Sequence, residues 1–339
     1  MLIELAERRI MPDALVRKGI RRMLRERLRE EQEKLAGADR KQLLEDLFAT
    51  GPIAVETAAA NQQHYEVPPA FYEQMLGSHL KYSSCLWPEG CKSLDEAEQN
   101  MLAATCARAQ IKDGQQILEL GCGWGSLTLW MAKCFPAASI MAVSNSHSQR
   151  EYIQRQALDR NLNNLEVRVC NVAELTLQQQ FDRIVSVEMF EHMRNWQKLL
   201  TNVASWLRTG GKLFLHTFCH RELFYPFTVE GRADWMTKHF FSGGVMPSYD
   251  LLETIAIPLK VEQQWPVNGM HYAKTCQAWL ENLDRNAEQI RSMFAGQLGN
   301  SSAQRQLARW RMFVMACEEL FAFHEGQQWY VSHALLHRR

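Results

Sequence analysis

The spacing of hydrophobic residues changes along this chain. Up to about residue 50, apolar residues recur with the period of amphipathic helices, as in LVRKGIRRMLRERLREEQEKL. From about residue 115, short apolar runs alternate with helical stretches. Beyond about residue 220 the chain becomes aromatic and irregular, and two long helical patterns follow near 274–295 and 301–323. The pattern predicts a helical N-terminal extension, a core that contains a sheet, and a C-terminal region rich in helices.

Five short runs in the middle of the chain have the composition of buried strands. They are QQILELG, ASIMAVS, LEVRVC, FDRIVSVE and GKLFLHTF, which contain many isoleucine, valine and leucine residues. The stretches between them, such as SLTLWMAKCF and SQREYIQRQALDRN, favour helices. Because strands that alternate with helices indicate a parallel sheet covered on both faces, the predicted fold is a doubly wound α/β sheet.

Composition narrows the class of protein. The 339 residues include 38 basic and 38 acidic side chains, and this zero net charge argues against a nucleic-acid partner. The chain lacks a run of about 18 apolar residues that would span a membrane, and its N-terminus lacks a secretory apolar core, so a cytoplasmic location is expected. Nine scattered cysteines without a C-x-x-C pair favour reduced thiols, and no metal is expected.

A basic helix near the N-terminus has two interpretations. Seven basic residues lie between Arg17 and Arg29, against the single acid Glu26. A contact with a membrane surface or an acidic partner would use such a charge, but a solvated helix that covers the neighbouring domain is favoured. The sequence leaves open whether the N-terminal helices form a lid, a contact in a homodimer or a membrane patch.

The motif ILELGCGWGS predicts a nucleoside-type ligand. Gly121, Gly123 and Gly125 follow the first strand, where glycines permit a tight turn and let backbone N–H groups approach a ligand. The dinucleotide pattern G-x-G-x-x-G is not met, because position 126 is serine. Glu119 suits a ligand with an ammonium or sulfonium group and repels a pyrophosphate. S-adenosylmethionine is therefore favoured over a nicotinamide nucleotide, and a glycine turn that serves only packing is the alternative.

Polar residues after the next two strands fit the same ligand. Ser144, Asn145 and Gln149 follow the second strand and can hydrogen-bond a ribose, while Asn171 and Val172 follow the third strand and suit an adenine. Open α/β sheets bind ligands at the carboxyl ends of their strands. Each assignment is weak alone, and the prediction depends on their regular placement after successive strands.

The segment RIVSVEMFEHM places functional side chains after the fourth strand. If a helical turn starts there, Glu188, Glu191 and His192 have i, i+3, i+4 spacing and share one face beside the reactive methyl group. Methyl transfer to nitrogen needs an amine without its extra proton; a carboxylate can hold an ammonium group, and a neutral imidazole can accept its proton. The alternative is an acidic helix N-terminus beside a core histidine. With the glycine motif upstream, a catalytic set is favoured.

These motifs resemble those of the cyclopropane fatty acid synthase superfamily of S-adenosylmethionine-dependent methyltransferases, and within it the coclaurine N-methyltransferase branch. The resemblance also includes NQQHYEVPPAFYEQMLGSHLKYSSCLW, LDEAEQNML, RWRMFVMACEELF and the closing GQQWYVSHALL, and so covers nearly the whole chain. It implies a Rossmann-like class I methyltransferase sheet with a helical N-terminal extension and helical insertions that cover the substrate.

The resemblance also implies a division of the chain. Residues 1–60 would form a helical cap, and residues 61–339 the methyltransferase domain. Within that domain, the cofactor core would occupy about 100–220 and the substrate-pocket region about 220–339.

Cofactor contacts follow from the resemblance residue by residue. Tyr82 and Ser83 of KYSS would close over the methionine end of S-adenosylmethionine. The other implied contacts are residues of the strand ends: Gly121, Gly123, Asn145, Gln149 and Val172.

The resemblance implies a substrate site as well. The set Glu188, Glu191 and His192 would face an amine, and Trp310 and Phe313 would line an aromatic pocket. Aromatic faces attract a substrate that passes through a cationic form. The predicted function is S-adenosylmethionine-dependent N-methylation of a small aromatic or cyclic amine, such as a tetrahydroisoquinoline-type compound.

A lipid-modifying enzyme is the alternative. That branch transfers a methylene group to an alkene with the help of a bicarbonate held by cysteine, glutamate, histidine and tyrosine, and Glu191, His216 and Tyr272 match three of these holders. Ser84 replaces the cysteine, which weakens this hypothesis, whereas His216 departs from the N-methyltransferase pattern. In either case His216 and Tyr272 are predicted to lie at the substrate. A cofactor-binding protein without catalysis is a third hypothesis, which the intact catalytic set disfavours.

Overall fold

A sheet of seven strands forms the centre of the structure, a computed structural model that describes residues 2–55, 67–228 and 235–338. Its strands are β1 Gln116–Leu120, β2 Ser139–Ser144, β3 Leu165–Val169, β4 Phe181–Val187, β5 Leu207–His220, β8 Leu259–Val267 and β9 Trp329–Arg338. A second, small sheet consists of β6 Tyr225–Pro226 and β7 Val245–Met246. The order in the large sheet is β3-β2-β1-β4-β5-β9-β8, and β9 runs antiparallel to both of its neighbours.

The strands predicted from the sequence correspond to β1 through β5, which are parallel to one another. Parallel strands covered by helices on both sides need apolar residues on both faces. Accordingly, β2 and β4 are buried along most of their length, whereas β3 at the edge of the sheet is partly exposed. The predicted doubly wound α/β sheet is confirmed, and the carboxyl ends of these strands meet at one edge.

Helices cover both faces of the sheet and its carboxyl edge. In the described ranges they are α1 Leu2–Glu7, α2 Asp13–Leu35, α3 Arg40–Phe48, α4 Pro69–Met75, α5 Leu94–Arg108, α6 Ser126–Cys134, α7 His147–Asp159, α8 Trp196–Trp206, α9 Trp235–Phe240, α10 Leu251–Thr254, α11 Gly269–Arg285, α12 Ala287–Leu298 and α13 Asn300–Phe321. One face of the sheet packs against α5 and α6, and the opposite face packs against α3 and α8. Short 3₁₀ turns at Val172–Glu174 and Phe190–His192 follow β3 and β4.

The predicted helix near 274–295 is two helices rather than one. α11 ends at Arg285, and Asn286 interrupts the helical backbone with φ −99° and ψ 16°. The Asn286 side chain donates to the Gln74 carbonyl at 2.8 Å, which ties the interruption to α4. The predicted helix near 301–323 corresponds to α13.

The first two helices, α1 and α2, lie against α13. Arg17 on α2 donates to Glu318 on α13 at 2.7 Å, and Arg311 on α13 donates to Asp13 on α2 at 2.8 Å. These ion pairs use part of the basic helix and support the favoured interpretation that it covers the neighbouring domain. The predicted domain boundary at residue 60 lies outside the described residues.

Candidate active site

A cavity of about 400 Å³ lies at the carboxyl edge of the sheet. The turn after β1 and the end of β4 line it on one side, and α2, α9, α11 and α13 line the others. The predicted site residues that line the cavity are Tyr82, Ser83, Glu119, Gly121, Gly123, Gln149, Glu188, His192, Tyr272 and Phe313. The structure therefore brings the predicted cofactor turn and part of the predicted catalytic set to one cavity.

The turn after β1 requires glycine at two positions for different reasons. Gly121 has φ 79°, and a Cβ there would lie 2.6 Å from the Met189 side chain. Gly123 has φ 52°, and among the described residues no heavy atom beyond its chain neighbours lies within 4 Å of a Cβ built there. Such positive φ values strain other residues. Because the open side of Gly123 belongs to the cavity, the turn fits a nucleoside such as that of S-adenosylmethionine.

Glu119 lies near the end of β1 and has only 2% of its surface exposed. Thr128 donates its hydroxyl proton to Glu119 Oε2 at 2.5 Å. Burial raises the pKa of Glu119 to about 8. A cationic group beside it would lower this pKa and favour the ionised form. The carboxyl group thus fits the predicted contact with the charged end of S-adenosylmethionine, and that contact stays a prediction.

Four other predicted cofactor residues lie outside the cavity wall. Ser144 is buried and donates to Gln149 Oε1 at 2.6 Å, which orients a side chain that does line the cavity. Asn145 is exposed just after β2. Asn171 caps the 3₁₀ turn that contains the buried Val172. Their roles at the ribose and adenine stay predictions.

A buried lysine, which the sequence reasoning missed, holds the KYSS segment in place. Lys81 Nζ donates to Ser83 Oγ at 2.5 Å and to the Ser84 carbonyl at 2.6 Å. Burial lowers the pKa of Lys81, and its ammonium group interacts with the Glu188 carboxylate. The signal that could have revealed it is its position directly before the predicted cofactor contact Tyr82.

Glu188 presents its carboxylate to the cavity and accepts hydrogen bonds on both oxygens. Tyr272 donates its hydroxyl proton to Oε2 at 2.6 Å, and the Ser84 N–H donates to Oε1 at 2.9 Å. His216 Nε2 lies 3.1 Å from Oε1. Burial raises the pKa of Glu188, and Lys81 opposes this shift. The backbone of Glu188 has φ 46°, and a residue other than glycine in this strained region is a mark of functional sites.

The prediction that Glu188, Glu191 and His192 share one helical face is wrong. Only one 3₁₀ turn, Phe190–His192, follows β4, and Glu188 precedes it. Glu191 is fully buried outside the cavity wall, and its Oε1 accepts the Phe218 N–H at 2.6 Å. Burial and the nearby Glu188 carboxylate raise the pKa of Glu191 well above its ordinary value. Glu191 Oε1 therefore binds the β5 backbone, whereas its buried Oε2 has no hydrogen-bond partner among the described residues, and a catalytic role for Glu191 stays a prediction.

His192 lines the cavity beside aromatic residues that the sequence reasoning missed. Its ring stacks on Phe241, with centroids 4.5 Å apart and ring planes at 26°. The missed aromatic residues of the wall are Tyr72, Trp124, Phe218, Tyr225, Phe227, Trp235, Phe241, Trp279 and Phe321. The aromatic and irregular sequence after residue 220 was the available signal, although it does not show which rings turn inward.

Of the two predicted pocket aromatics, Phe313 lines the cavity and Trp310 does not. Trp310 is fully buried, and its ring centroid lies 4.6 Å from that of Phe71 and 5.1 Å from that of Phe240. Phe313 stacks on Phe240 at 4.4 Å. Trp310 therefore packs behind the aromatic wall, because its side of α13 faces α4 and α9.

His216, predicted to contact the substrate, is fully buried and lies behind Glu188. Its Nδ1 is 2.9 Å from His333 Nε2, and His333 Nδ1 is 2.6 Å from Arg108 Nη1. The sequence reasoning missed Arg108 and His333, since only the antiparallel pairing of β5 with β9 places His333 opposite His216. His216 thus orients the Glu188 carboxylate rather than a substrate.

The helix α2 closes one side of the cavity. Val16, Ile20 and Leu24 line it, on the apolar face that the sequence pattern predicted. The helix α2 therefore covers this side of the cavity, while a homodimer contact and a membrane contact of the N-terminal helices stay open.

Among the residues that the structure describes, no group of three or more His, Cys, Asp or Glu side chains is placed to hold a metal ion. Within the same residues, no helix combines the length and apolar character needed to cross a membrane. All nine cysteines are free, and five of them are buried.

The strand order with an antiparallel β9 beside β5, the glycine turn after β1 and the cavity at the carboxyl edge define a Rossmann-like class I methyltransferase dependent on S-adenosylmethionine. The chain belongs to the mycolic acid cyclopropane synthetase family, whose model matches residues 54–330. The resemblance noted in the sequence is thereby confirmed.

Individual relatives refine this assignment. The (S)-coclaurine N-methyltransferase of Thalictrum flavum subsp. glaucum is 37% identical over 291 residues, which cover 85% of this chain and 81% of that protein. A crystal structure of coclaurine N-methyltransferase bound to N-methylheliamine and SAH matches with a TM-score of 0.94 at 34% identity and 99% coverage of both chains. The cyclopropane-fatty-acyl-phospholipid synthase of Escherichia coli strain K12 is more distant, at 29% identity over 69% of this chain and 60% of that protein.

Proposed function

We propose that this enzyme methylates the nitrogen of a small aromatic or cyclic amine, such as a tetrahydroisoquinoline-type compound. The observation that carries the proposal is the Glu188 carboxylate, which Tyr272, Ser84 and His216 hold at the edge of an aromatic cavity. S-adenosylmethionine, when bound, supplies an electrophilic methyl group. The glycine turn after β1, together with Glu119, is its proposed binding site.

Glu188 binds and orients the amine. Most aliphatic amines carry a proton near neutral pH, and a buried carboxylate pairs strongly with such a cation. Three hydrogen bonds fix the carboxylate, so little orientational freedom is lost when the amine arrives. Lys81 favours the ionised form of Glu188, which is the form that binds a cation.

His192 accepts the proton from the amine. Its ring lines the cavity and is stacked on Phe241. Removal of the proton exposes the nitrogen lone pair that attacks the methyl group, and base assistance of this kind contributes roughly 10²–10⁴-fold. Glu191, although part of the motif, acts through the β5 backbone and has no assigned chemical step.

The cavity walls suit an aromatic substrate. A volume of about 400 Å³ lies within the range of small-molecule sites, which is about 300–1,000 Å³. Phe218, Phe241 and Phe313 line the cavity, and aromatic rings attract a cationic amine. The names of the relatives that are N-methyltransferases support an alkaloid-like amine.

The lipid-modifying alternative is less well supported. His216 and Tyr272, two of the residues matched to bicarbonate holders, both bind the Glu188 carboxylate. A carboxylate of the protein itself therefore lies between them. Ser84, in place of the thiol, directs its hydroxyl group to the Cys85 carbonyl at 3.4 Å.

Location and assembly belong to the proposal as well. Zero net charge supports action on a small molecule without a nucleic-acid partner, and the pairing of Arg17 with Glu318 supports a cover rather than a membrane contact for α2. A cytoplasmic location and a homodimer stay predictions.

The test is a turnover assay with methyl-labelled S-adenosylmethionine. The enzyme is incubated in parallel with tetrahydroisoquinoline-type amines and with vesicles of unsaturated phospholipid, and product masses are read out. We expect label on the amine, strongly reduced in Glu188→Gln and His192→Ala but retained in Glu166→Gln, an exposed control. Label in the lipid alone would overturn the proposal.

A further inference from the structure

We propose that Arg108 and His333 are positioning residues for amine binding: acting through His216, they aim an N–H donor at the Glu188 carboxylate. The inference rests on the proposed function, because it assigns Glu188 to the amine. Neither Arg108 nor His333 lines the cavity, so both would influence the substrate only through other side chains.

The interacting side chains lie in a row on one face of the sheet. His216 on β5 is the cross-strand partner of His333 on β9, and His333 is the partner of Trp265 on β8. Cross-strand partners of antiparallel strands project to the same face. Arg108, at the end of α5, contacts this row twice: Nη1 is 2.6 Å from His333 Nδ1, and its guanidinium carbon is 5.2 Å from the Trp265 ring centre.

Arg108 dictates where each histidine proton lies. A guanidinium group can only donate hydrogen bonds, so His333 Nδ1 must accept and the His333 proton resides on Nε2. His333 Nε2 then donates to His216 Nδ1 at 2.9 Å, which leaves the His216 proton on Nε2. That N–H faces Glu188 Oε1 at 3.1 Å. The row is therefore directional, from Arg108 to Glu188.

The environment keeps both histidines neutral. Burial lowers the pKa values of His216 and His333 well below their ordinary value, and the charges of Arg108 and Lys81 lower them further. In the described part of the chain, no carboxylate pairs with Arg108, and its guanidinium group contacts His333 and Trp265 instead. The other titratable groups around Glu188 are Lys81, Tyr82, Cys85, Glu191, His192, Tyr272 and Cys276.

Without Arg108, the opposite order of protons becomes available. Each histidine can then carry its proton on Nδ1, and a lone pair of His216 Nε2 would face Glu188. This arrangement favours the protonated carboxyl group, which can donate to that lone pair. A neutral carboxyl group binds an ammonium group poorly. Through the two histidines, the charge of Arg108 therefore favours the ionised form of Glu188.

The first test reads the proton positions directly, without any turnover. Nitrogen-15 histidine spectra of the full-length protein are recorded and assigned with His216→Gln and His333→Gln. We expect both rings as neutral Nε2–H tautomers in the wild type, and a shift of His216 toward Nδ1–H in Arg108→Met. An Nδ1–H tautomer of His216 in the wild type would overturn the inference.

The second test is the pH profile of kcat/KM for the methylated amine. In Arg108→Met we expect the acid limb to move to higher pH, with a loss of up to roughly ten-fold on that limb for a shift of one unit, recovered as the pH is raised. Arg108→Lys, which keeps a cationic donor, should largely restore the profile. Arg183→Met is the matched control, because Arg183 is a buried arginine that donates to the Ala109 carbonyl, directly after α5.

The two proposals fail in different ways. If the wild type methylates no amine, the proposed function is wrong, while the tautomers can still be measured. If it methylates an amine and Arg108→Met keeps the wild-type profile, or Arg183→Met moves it equally, the positioning role of Arg108 is wrong.

Discussion

The Tyr272 hydroxyl group donates its proton to Glu188 Oε2 at 2.6 Å while the Tyr272 ring stacks on Phe321, with centroids 4.1 Å apart. Burial raises the pKa of Tyr272 well above its ordinary value, so the phenol keeps its proton and stays a donor. One residue therefore joins the aromatic wall to the carboxylate proposed to hold the amine.

Tyr272→Phe keeps the ring and removes the donor. We expect kcat/KM for the amine to fall roughly 10–100-fold at neutral pH, since hydrogen bonds to charged groups contribute about 1.5–3 kcal/mol. The Tyr272 hydroxyl lowers the pKa of Glu188, so its loss should move the acid limb of kcat/KM to higher pH. Steady-state kinetics with Tyr249→Phe, whose ring contacts Tyr330, provides the control. Equal losses in both variants would contradict the assignment.

His192→Phe separates base catalysis from ring packing, because phenylalanine can keep the stack on Phe241 but cannot accept a proton. We expect turnover to fall roughly 10²–10⁴-fold in both His192→Phe and His192→Ala. The affinity for S-adenosylmethionine, measured by calorimetry, should change little. Unaltered turnover of His192→Phe at neutral pH would rule out His192 as the base.

Gly123→Val should abolish binding of S-adenosylmethionine, because the new side chain would enter the open side of the turn after β1. Gly114→Val is the matched control, since Gly114 also has a positive φ, 76°, with open space around a Cβ. Both variants share the backbone strain of a β-branched residue at positive φ. Calorimetric titration with the cofactor should therefore distinguish them. Loss of binding in both would indicate a general effect of strain.

Glu119 should make the cofactor-free protein less stable as pH rises. Its pKa is about 8 in the folded chain, above its ordinary value of 4.5, so between these values the folded state binds more protons than the unfolded state. The free energy of unfolding therefore falls with rising pH, by up to about 1.4 kcal/mol per unit from this group. Glu119→Gln should lessen this fall in urea unfolding at pH 5 and pH 8. Identical pH dependence of Glu119→Gln and wild type would refute this contribution of Glu119. The control Glu166→Gln, at an exposed position, should match wild type.

The sequence alone predicted the parallel strands of the sheet but not its last two strands, β8 and β9. Buried parallel strands leave apolar runs such as FDRIVSVE, which periodicity detects. The partly exposed strand Leu259–Val267 leaves no comparable run. The single helix predicted near 274–295 failed at Asn286, because the break depends on a bond to the Gln74 carbonyl that no local pattern reveals.

The sequence predicted those parts of the candidate site in which a motif lies at the end of a strand. Gly123 and Glu188 lie at strand ends, so the topology alone brings them to one cavity. Directions of side chains were not predictable: the strained φ of Glu188 separates it from Glu191, which turns into the protein. Arg108 was missed because its role depends on a cross-strand pair that is distant in sequence.

The cover formed by α2 has a kinetic consequence. Arg17 and Arg21 bind Glu319 on α13 at 3.0 and 2.9 Å, and these side chains remain partly exposed to solvent. Dissolved ions weaken such contacts, and the exit of a product from beneath a closing element often limits turnover. The residence time of the methylated product should accordingly shorten as ionic strength increases. The enzyme would then turn over its substrate faster in salt while binding the product less tightly.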